Sequence, residues 1–91
     1  MRRTEHGEER HEEKERPTGE AARDKAESNE IYSDVETNFF VFVGERGRTH
    51  IFTSENLHHT SFRTTKQNRI EREDSGKWER ISRDELPEKL R

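Results

Sequence analysis

Cysteine and long apolar runs are both absent from this chain of 91 residues. Without cysteine there is no disulfide framework and no thiolate metal site, and small secreted domains usually depend on such cross-links. No apolar run approaches the roughly 20 residues that cross a membrane. Residues 1–7 are followed by further charge rather than by an apolar stretch, which is not the pattern of a signal peptide. These absences predict a cytoplasmic protein without membrane contact.

Hydrophobic residues are also scarce, at 23% of the chain against 43% charged residues. They are unevenly distributed, with seven in residues 1–36 and fourteen in residues 37–91. Segment 5–16 has no apolar residue, so nothing in it offsets the entropy of ordering its backbone. We therefore predict a disordered, charged N-terminal arm over residues 1–36 and a small β domain over residues 37–91. Because a core this small is marginal alone, we expect either a monomer or a homodimer.

Turn-forming residues divide the second part of the chain into five short segments with strand-forming sequence. The predicted strands are 39–43, 48–53, 59–65, 69–73 and 77–81. Ser82 and Glu85 have the spacing of a capping box, which predicts a short C-terminal helix or turn. The predicted fold class is mainly β (all-β or α+β). We expect a five-stranded antiparallel meander that forms a small, partly open barrel or a curled sheet.

The formal charge of −3 conceals an uneven distribution. Residues 1–36 carry seven basic and twelve acidic groups, a net charge of −5, and residues 71–91 carry a net charge of −1. Residues 37–70 carry five basic and two acidic groups, a net charge of +3, together with three of the five histidines. This middle segment therefore favours an anionic partner.

Strand alternation predicts that Ile51, Phe62 and Ile70 form the core face of the sheet. The opposite face then carries Arg48, His50, Phe52, His59, Ser61, Arg63 and Arg69. Cations on such a face neutralise phosphates, and an aromatic ring offers a surface on which bases stack. We predict binding of RNA or other single strands, with these contact residues: Arg46, Arg48, His50, Phe52, His59, Arg63, Lys66 and Arg69. The simpler alternative is that this polar face is the ordinary solvated side of an antiparallel sheet.

Two other functions are compatible with the sequence. An exposed edge strand and the acidic arm would suit a protein-binding adaptor or inhibitor. A metal-independent ribonuclease would need a general base, a general acid and cations, for which the candidates are His59, His50, Glu55 and Arg63. No metal-binding or phosphate-loop motif is present, so we expect neither a metal nor a cofactor.

Overall fold

The computed structural model describes residues 18–91, and these residues form one antiparallel sheet with helical segments on both sides. The predicted fold class, mainly β with an α+β arrangement, is confirmed. The two α-helices are α1 (Ala21–Glu27) and α2 (Lys66–Asp74). The strands are β1 (Glu30–Asp34), β2 (Phe40–Val43), β3 (Arg48–Phe52), β4 (His58–Arg63) and β5 (Trp78–Ile81).

The strand order across the sheet is β4-β3-β2-β1-β5. Strands β1 to β4 form a meander of antiparallel neighbours. The chain then crosses the sheet through α2 and places β5 antiparallel to β1. Because β4 and β5 do not pair with each other, the sheet of the described residues is open and is not a closed barrel.

Residues 18–36, which we assigned to the disordered arm, contain both α1 and β1. Strand β1 lies between β2 and β5 and pairs with both, so the predicted boundary after residue 36 divides the sheet. Ile31 and Tyr32 are each only 2% exposed. These two apolar residues are sufficient to hold an otherwise polar segment in the sheet, because neighbouring strands on both sides form hydrogen bonds with the backbone of β1. The remainder of the predicted arm, residues 1–17, lies outside the described residues.

The prediction of a fourth strand over residues 69–73 is wrong, because this segment belongs to helix α2. The helix begins after Thr65, whose side chain accepts a hydrogen bond from the backbone N–H of Asn68 at 3.0 Å. Such a cap satisfies one of the free donors of the first helical turn. A single apolar residue, Ile70, among helix-forming polar residues gave no true strand alternation.

The turn between β2 and β3 contains two glycines, of which only Gly47 has a positive φ angle. Arg46 and Gly47 both have positive φ angles, 58° and 79°. A side chain at Gly47 is disfavoured for two reasons: the φ angle is positive, and a Cβ atom there would clash with the carbonyl oxygen of Thr64. Thr64 donates its backbone N–H to the Gly47 carbonyl at 2.9 Å. Glycine at this position therefore lets the turn contact the end of β4.

Both faces of the sheet are covered, and each carries its own apolar cluster. One cluster lies on the α1 side and consists of Ala21, Ile31, Phe42, Phe52, Leu86 and Leu90. The other lies on the opposite side and consists of Tyr32, Val41, Val43, Ile51 and Trp78, with Phe39 and Phe62 packed against it. The predicted face pairing of Ile51 with Phe62 agrees with this second cluster. Ile70, the third predicted core residue, is 41% exposed on α2.

The predicted short C-terminal helix or turn is present as two 3-10 helices, Arg83–Glu85 and Glu88–Leu90. The carboxylate of Glu85 accepts a hydrogen bond from the backbone N–H of Ser82 at 2.9 Å, as a capping box requires. Leu86 precedes Pro87 and has an extended backbone, which ends the first turn. Within residues 18–91, no helix has the length and apolar character needed to cross a membrane.

Candidate functional site

Strands β3 and β4 bring together several of the residues predicted to share one face. Arg48 lies opposite Arg63, and His50 lies opposite Ser61. An irregularity between Ile51 and Phe52 shifts the register, so that Phe52 pairs with His58. A β-bulge of this kind adds one residue to a strand and reverses the side on which the following residues lie. The bulge explains why His58, rather than the predicted His59, joins His50 on the α1 side.

A chain of hydrogen bonds links four side chains on the α1 side of the sheet. Asp24 Oδ2 lies 2.7 Å from His50 Nε2, and His50 Nδ1 lies 2.7 Å from Ser61 Oγ. Ser61 Oγ also lies 2.8 Å from His58 Nε2. A carboxylate only accepts, so His50 donates from Nε2 and accepts at Nδ1 from the Ser61 hydroxyl. Ser61 in turn accepts from His58, and all three hydrogen bonds run in one direction, toward Asp24.

Arg48 completes this arrangement by pairing with the same carboxylate. Its Nε and Nη2 atoms lie 2.7 Å and 3.0 Å from the two oxygens of Asp24. Two parallel N–H donors on one carboxylate form the strong bidentate geometry of arginine pairs. Asp24 is carried by α1, and His50 and Arg48 by β3. The ion pair between Arg48 and Asp24 therefore holds α1 against the sheet.

The buried position of these groups alters their acidity. Hydrogen bonding to Arg48 lowers the pKa of Asp24 below its usual value, although burial opposes this effect. Burial lowers the pKa of His50, and the hydrogen bond to Asp24 only partly offsets it. The arrangement thus pairs an ionised carboxylate with a neutral imidazole at neutral pH.

A serine, a histidine and an aspartate joined in this order have the connectivity of a nucleophilic triad. Here, however, the side chains are enclosed: His50 is 0% exposed and Ser61 is 2% exposed. A nucleophile must reach its substrate, so the geometry supports a structural hydrogen-bond chain rather than acyl transfer. Sequence reasoning placed His50 and Ser61 on one face but missed this chain, because Asp24 lies in the predicted arm and His58 was expected on the opposite face from His59.

The predicted nucleic-acid contacts fall into two groups in the structure. Four of them are buried or form an ion pair with a carboxylate. His50 and Phe52 lie in the interior, so Phe52 offers no exposed stacking surface. Arg48 pairs with Asp24, and Arg69 pairs with Glu30 at 2.8 Å. The other four, Arg46, His59, Arg63 and Lys66, are exposed.

Two of these exposed residues, Arg46 and Arg63, lie together at one corner of the sheet, and Lys66 follows three residues after Arg63 in the chain. We name these three residues the basic corner. Arg63 Nη1 lies 3.3 Å from the carbonyl oxygen of Arg46, which places the turn beside the end of β4. Lys66 opens α2, whose first turn has no acidic residue. Within residues 18–91, no ion pair to a carboxylate involves these three side chains. Glu45 precedes Arg46 in the same turn and reduces the local charge.

The four candidate catalytic residues do not converge on one point. His50 is enclosed under α1, whereas His59 contacts the ring of Phe39, with centroids 5.1 Å apart. Glu55 forms an ion pair with Lys89 near the C-terminus. Nor does any group of three histidine or carboxylate side chains in the described part of the chain form a metal site.

On the other side of the sheet, a second polar cluster fixes α2. Arg69 donates to Glu30 and to the side chain of Thr64, at 2.8 Å and 2.9 Å. Glu30 also accepts from the hydroxyl of Tyr32 at 2.7 Å. Burial and this hydrogen bond raise the pKa of Tyr32 to about 12, so its phenol remains protonated at neutral pH.

Comparisons of the chain with protein-family models, with curated proteins and with solved structures find no match.

Proposed function

We propose that this protein binds single-stranded RNA and that the basic corner holds the RNA backbone. The observation that supports the proposal is the contact of Arg63 with the turn of Arg46, together with Lys66 three residues further along the chain. All three cations are exposed, and none forms an ion pair with a carboxylate of the described chain. Unpaired cations at one place favour a partner with closely spaced negative charges, and the phosphates of a nucleic acid satisfy that requirement.

The corner supplies charge rather than base recognition. Phe52 is buried, and the guanidinium of Arg48 is already satisfied by Asp24. Contacts to phosphates position a strand without distinguishing its sequence. The proposed binding is consequently electrostatic, weakly dependent on sequence and sensitive to salt.

Salt dependence gives a quantitative test. A protein that neutralises three phosphates of a single strand should show a slope of about −2 in a plot of log K against log salt concentration. Between about 50 and 200 mM salt, the affinity for a labelled single-stranded RNA should then fall roughly twentyfold. Fluorescence anisotropy measures the affinity, and absence of binding at 50 mM would refute the proposal.

Charge reversal tests whether the basic corner is the RNA-binding site. Arg63→Glu should weaken binding at least tenfold at low salt, because it removes one phosphate contact and adds a repulsive charge, and contacts of charged groups contribute about 1.5–3 kcal/mol. Lys77→Glu is the matched control, since Lys77 is an exposed cation that lies next to β5, at the opposite edge of the sheet. Equal loss in both variants would indicate a general charge effect and would contradict the basic corner as the site.

One observation favours protein binding as a second candidate function. β4 is the longest of the described strands, with six residues, and it lies at an edge of the sheet that residues 18–91 form. Arg63 is its only Lys, Arg, Asp or Glu residue, whereas the other edge strand, β5, contains both Glu79 and Arg80. Charges normally protect an edge from further pairing, so β4 is the less protected edge and could accept an extended peptide as a sixth strand.

Hydrogen exchange can test this second function. Selection from a library of random peptides should enrich strand-forming sequences, and a bound peptide should protect backbone amides of β4. Protection confined to other elements would exclude strand addition at β4.

A further inference from the structure

A groove of about 400 Å³ lies beside α2, and three cations line it. Lys66 and Arg69 belong to α2, and Arg80 belongs to β5. Clefts of roughly 300–1,000 Å³ hold small ligands, so this groove has room for about one nucleotide. It is open as the fold stands, and a ligand can enter it without movement of α2.

The groove lies at the same end of the sheet as the basic corner. Glu30, which lines the groove, pairs in register with Val43. Val43 is the last residue of β2, directly before the turn that carries Arg46. The end of β1 at the groove and the turn at the corner are therefore neighbours across the sheet.

Arg69 connects the corner to the groove through side-chain contacts. Its Nη1 atom lies 2.9 Å from Thr64 Oγ1, and Thr64 directly follows Arg63 of the corner. Its Nε atom lies 2.8 Å from Glu30 on the opposite side of the groove. Lys66, which belongs to the corner, lines the groove as well. A strand that leaves the corner past Lys66 thus enters the groove.

Two carboxylates also line the groove, those of Glu30 and Glu73. Glu30 is already engaged, because it accepts hydrogen bonds from Arg69 and from the hydroxyl of Tyr32, at 2.8 Å and 2.7 Å. Its charge is balanced by Arg69. The groove consequently keeps the charges of Lys66 and Arg80 against that of Glu73.

Arg80 is held at the wall of the groove with donors to spare. Its guanidinium lies 5.6 Å from the ring centroid of Tyr32, and Nη2 lies 3.5 Å from the carbonyl oxygen of Asn29. Arginine has five N–H donors, so one long hydrogen bond leaves the others for a ligand. In the part of the chain that the structure describes, Arg80 is exposed and has no ion pair with a carboxylate.

We infer that the groove beside α2 continues the path of the RNA backbone from the basic corner and that Arg80 binds one further phosphate there. This inference rests on the RNA binding proposed above and deepens it. The bound strand crosses one end of the sheet, from the end of β4 toward β5. Glu73 lies beside this path and repels the phosphate that Arg80 attracts.

The number of phosphate contacts is read from the salt dependence. The full chain is titrated with labelled oligouridylate of about eight nucleotides, within the usual site size for single strands. A fourth contact changes the slope of log K against log salt concentration from about −2, expected for the corner alone, to about −3. Between about 50 and 200 mM salt, the affinity should then fall roughly fiftyfold instead of twentyfold.

Arg80→Ala tests the residue that makes the fourth contact. This variant should bind the oligonucleotide about tenfold more weakly at 50 mM salt, and its slope should return to about −2. Lys77→Ala is the matched control: Lys77 is also an exposed cation next to β5, but it lines a separate groove with Asp34 and Glu36. The control should keep the slope of about −3.

Glu73→Gln tests the same groove in the opposite direction and retains every cation. It should bind the oligonucleotide about two- to fivefold more tightly, the usual effect of one exposed charge pair. Glu71→Gln is its control, because Glu71 lies on the same helix but lines the separate groove beside Trp78. Glu73→Gln decides the inference if Arg80→Ala does not fold, and equal affinities of the two glutamine variants would then overturn it.

The inference and the proposed function fail in different ways. Binding with a slope of about −2 and with equal affinity in Arg80→Ala and Lys77→Ala overturns the groove and leaves the basic corner intact. A slope of about −3 that persists in Arg80→Ala also overturns the groove, because the fourth phosphate then lies elsewhere. No binding at 50 mM salt refutes the proposed function itself.

Discussion

Gly44 lies so close to Asp24 that a Cβ atom at Gly44 would stand within 2.7 Å of all three atoms of the Asp24 carboxylate. The carboxylate is held there by Arg48 and His50 and has little freedom to move. Gly44 follows β2 directly, and α1 carries Asp24. The absence of one side chain therefore allows the helix to approach the sheet closely enough for the buried hydrogen-bond chain to form.

Gly44→Ala should destabilise the protein by about 1–3 kcal/mol, the usual cost of forcing an extra carbon into a packed site. Urea unfolding monitored by Trp78 fluorescence measures the change. Gly19→Ala is the matched control, because a Cβ atom at Gly19 meets nothing within 4 Å. If the two variants have the same stability, the close approach of Asp24 to Gly44 is not important for the fold.

Asp24→Asn should cost about 3 kcal/mol of unfolding free energy, because removing one member of a buried pair leaves the other without its counter-charge. Asp24 is 4% exposed and contacts both Arg48 and His50. Glu20→Gln provides the comparison: Glu20 also pairs with an arginine, Arg23, but both side chains are about half exposed. That variant should change stability by less than about 1 kcal/mol. A small loss of unfolding free energy in Asp24→Asn would mean that the buried ion pair contributes little to stability.

Stability should decrease as the pH falls below about 6.5, the ordinary pKa of histidine. Burial lowers the pKa of His50 in the folded chain, so the unfolded chain takes up a proton at a higher pH than the folded chain does. The stabilisation is complete above the unfolded pKa and is lost below it, by at most about 1.4 kcal/mol per pH unit.

Urea unfolding of the unaltered chain and of two variants between pH 7.5 and 5.5 tests this pH dependence. His50→Gln should flatten the dependence, and His59→Gln, at an exposed histidine, should leave it unchanged. A steep dependence that survives in His50→Gln would assign the effect to another group.

A chain that begins at residue 37 should not fold cooperatively. It lacks β1, which among the described strands is the only one that pairs with β5, and with it Ile31 and Tyr32. Each of these buried residues contributes about 1.5–3 kcal/mol, against a total stability of roughly 5–15 kcal/mol for a small domain. A chain that begins at residue 18 retains every described element and should unfold in one transition by circular dichroism. Cooperative unfolding of the shorter chain would restore the predicted domain boundary.

The parts of the fold that sequence predicted are those fixed by local chemistry. The β-branched and aromatic run 39–43 predicted β2, and the glycines at 44 and 47 predicted the turn that follows. Cross-strand partners Arg48 and Arg63 were placed on one face because side chains alternate along a strand. Helix α2 was missed because a polar segment with one apolar residue has no clear period, and the cap at Thr65 becomes visible only in three dimensions.

The sequence by itself determined the class of the domain, the positions of four of its five strands and the charge of its middle segment, since these depend on neighbouring residues. Tertiary structure decided which charges are free. His50 and Arg48 looked like surface groups by alternation, yet a helix from the supposed arm covers them and supplies Asp24 as their partner. Only the packing of distant segments determines whether a cation meets a carboxylate or solvent, and it left Arg46, Arg63 and Lys66 exposed. Both faces of β3 carry side chains that can be buried, so the sequence alone does not show which face is covered. The fold therefore decided which side of the sheet is exposed to a binding partner.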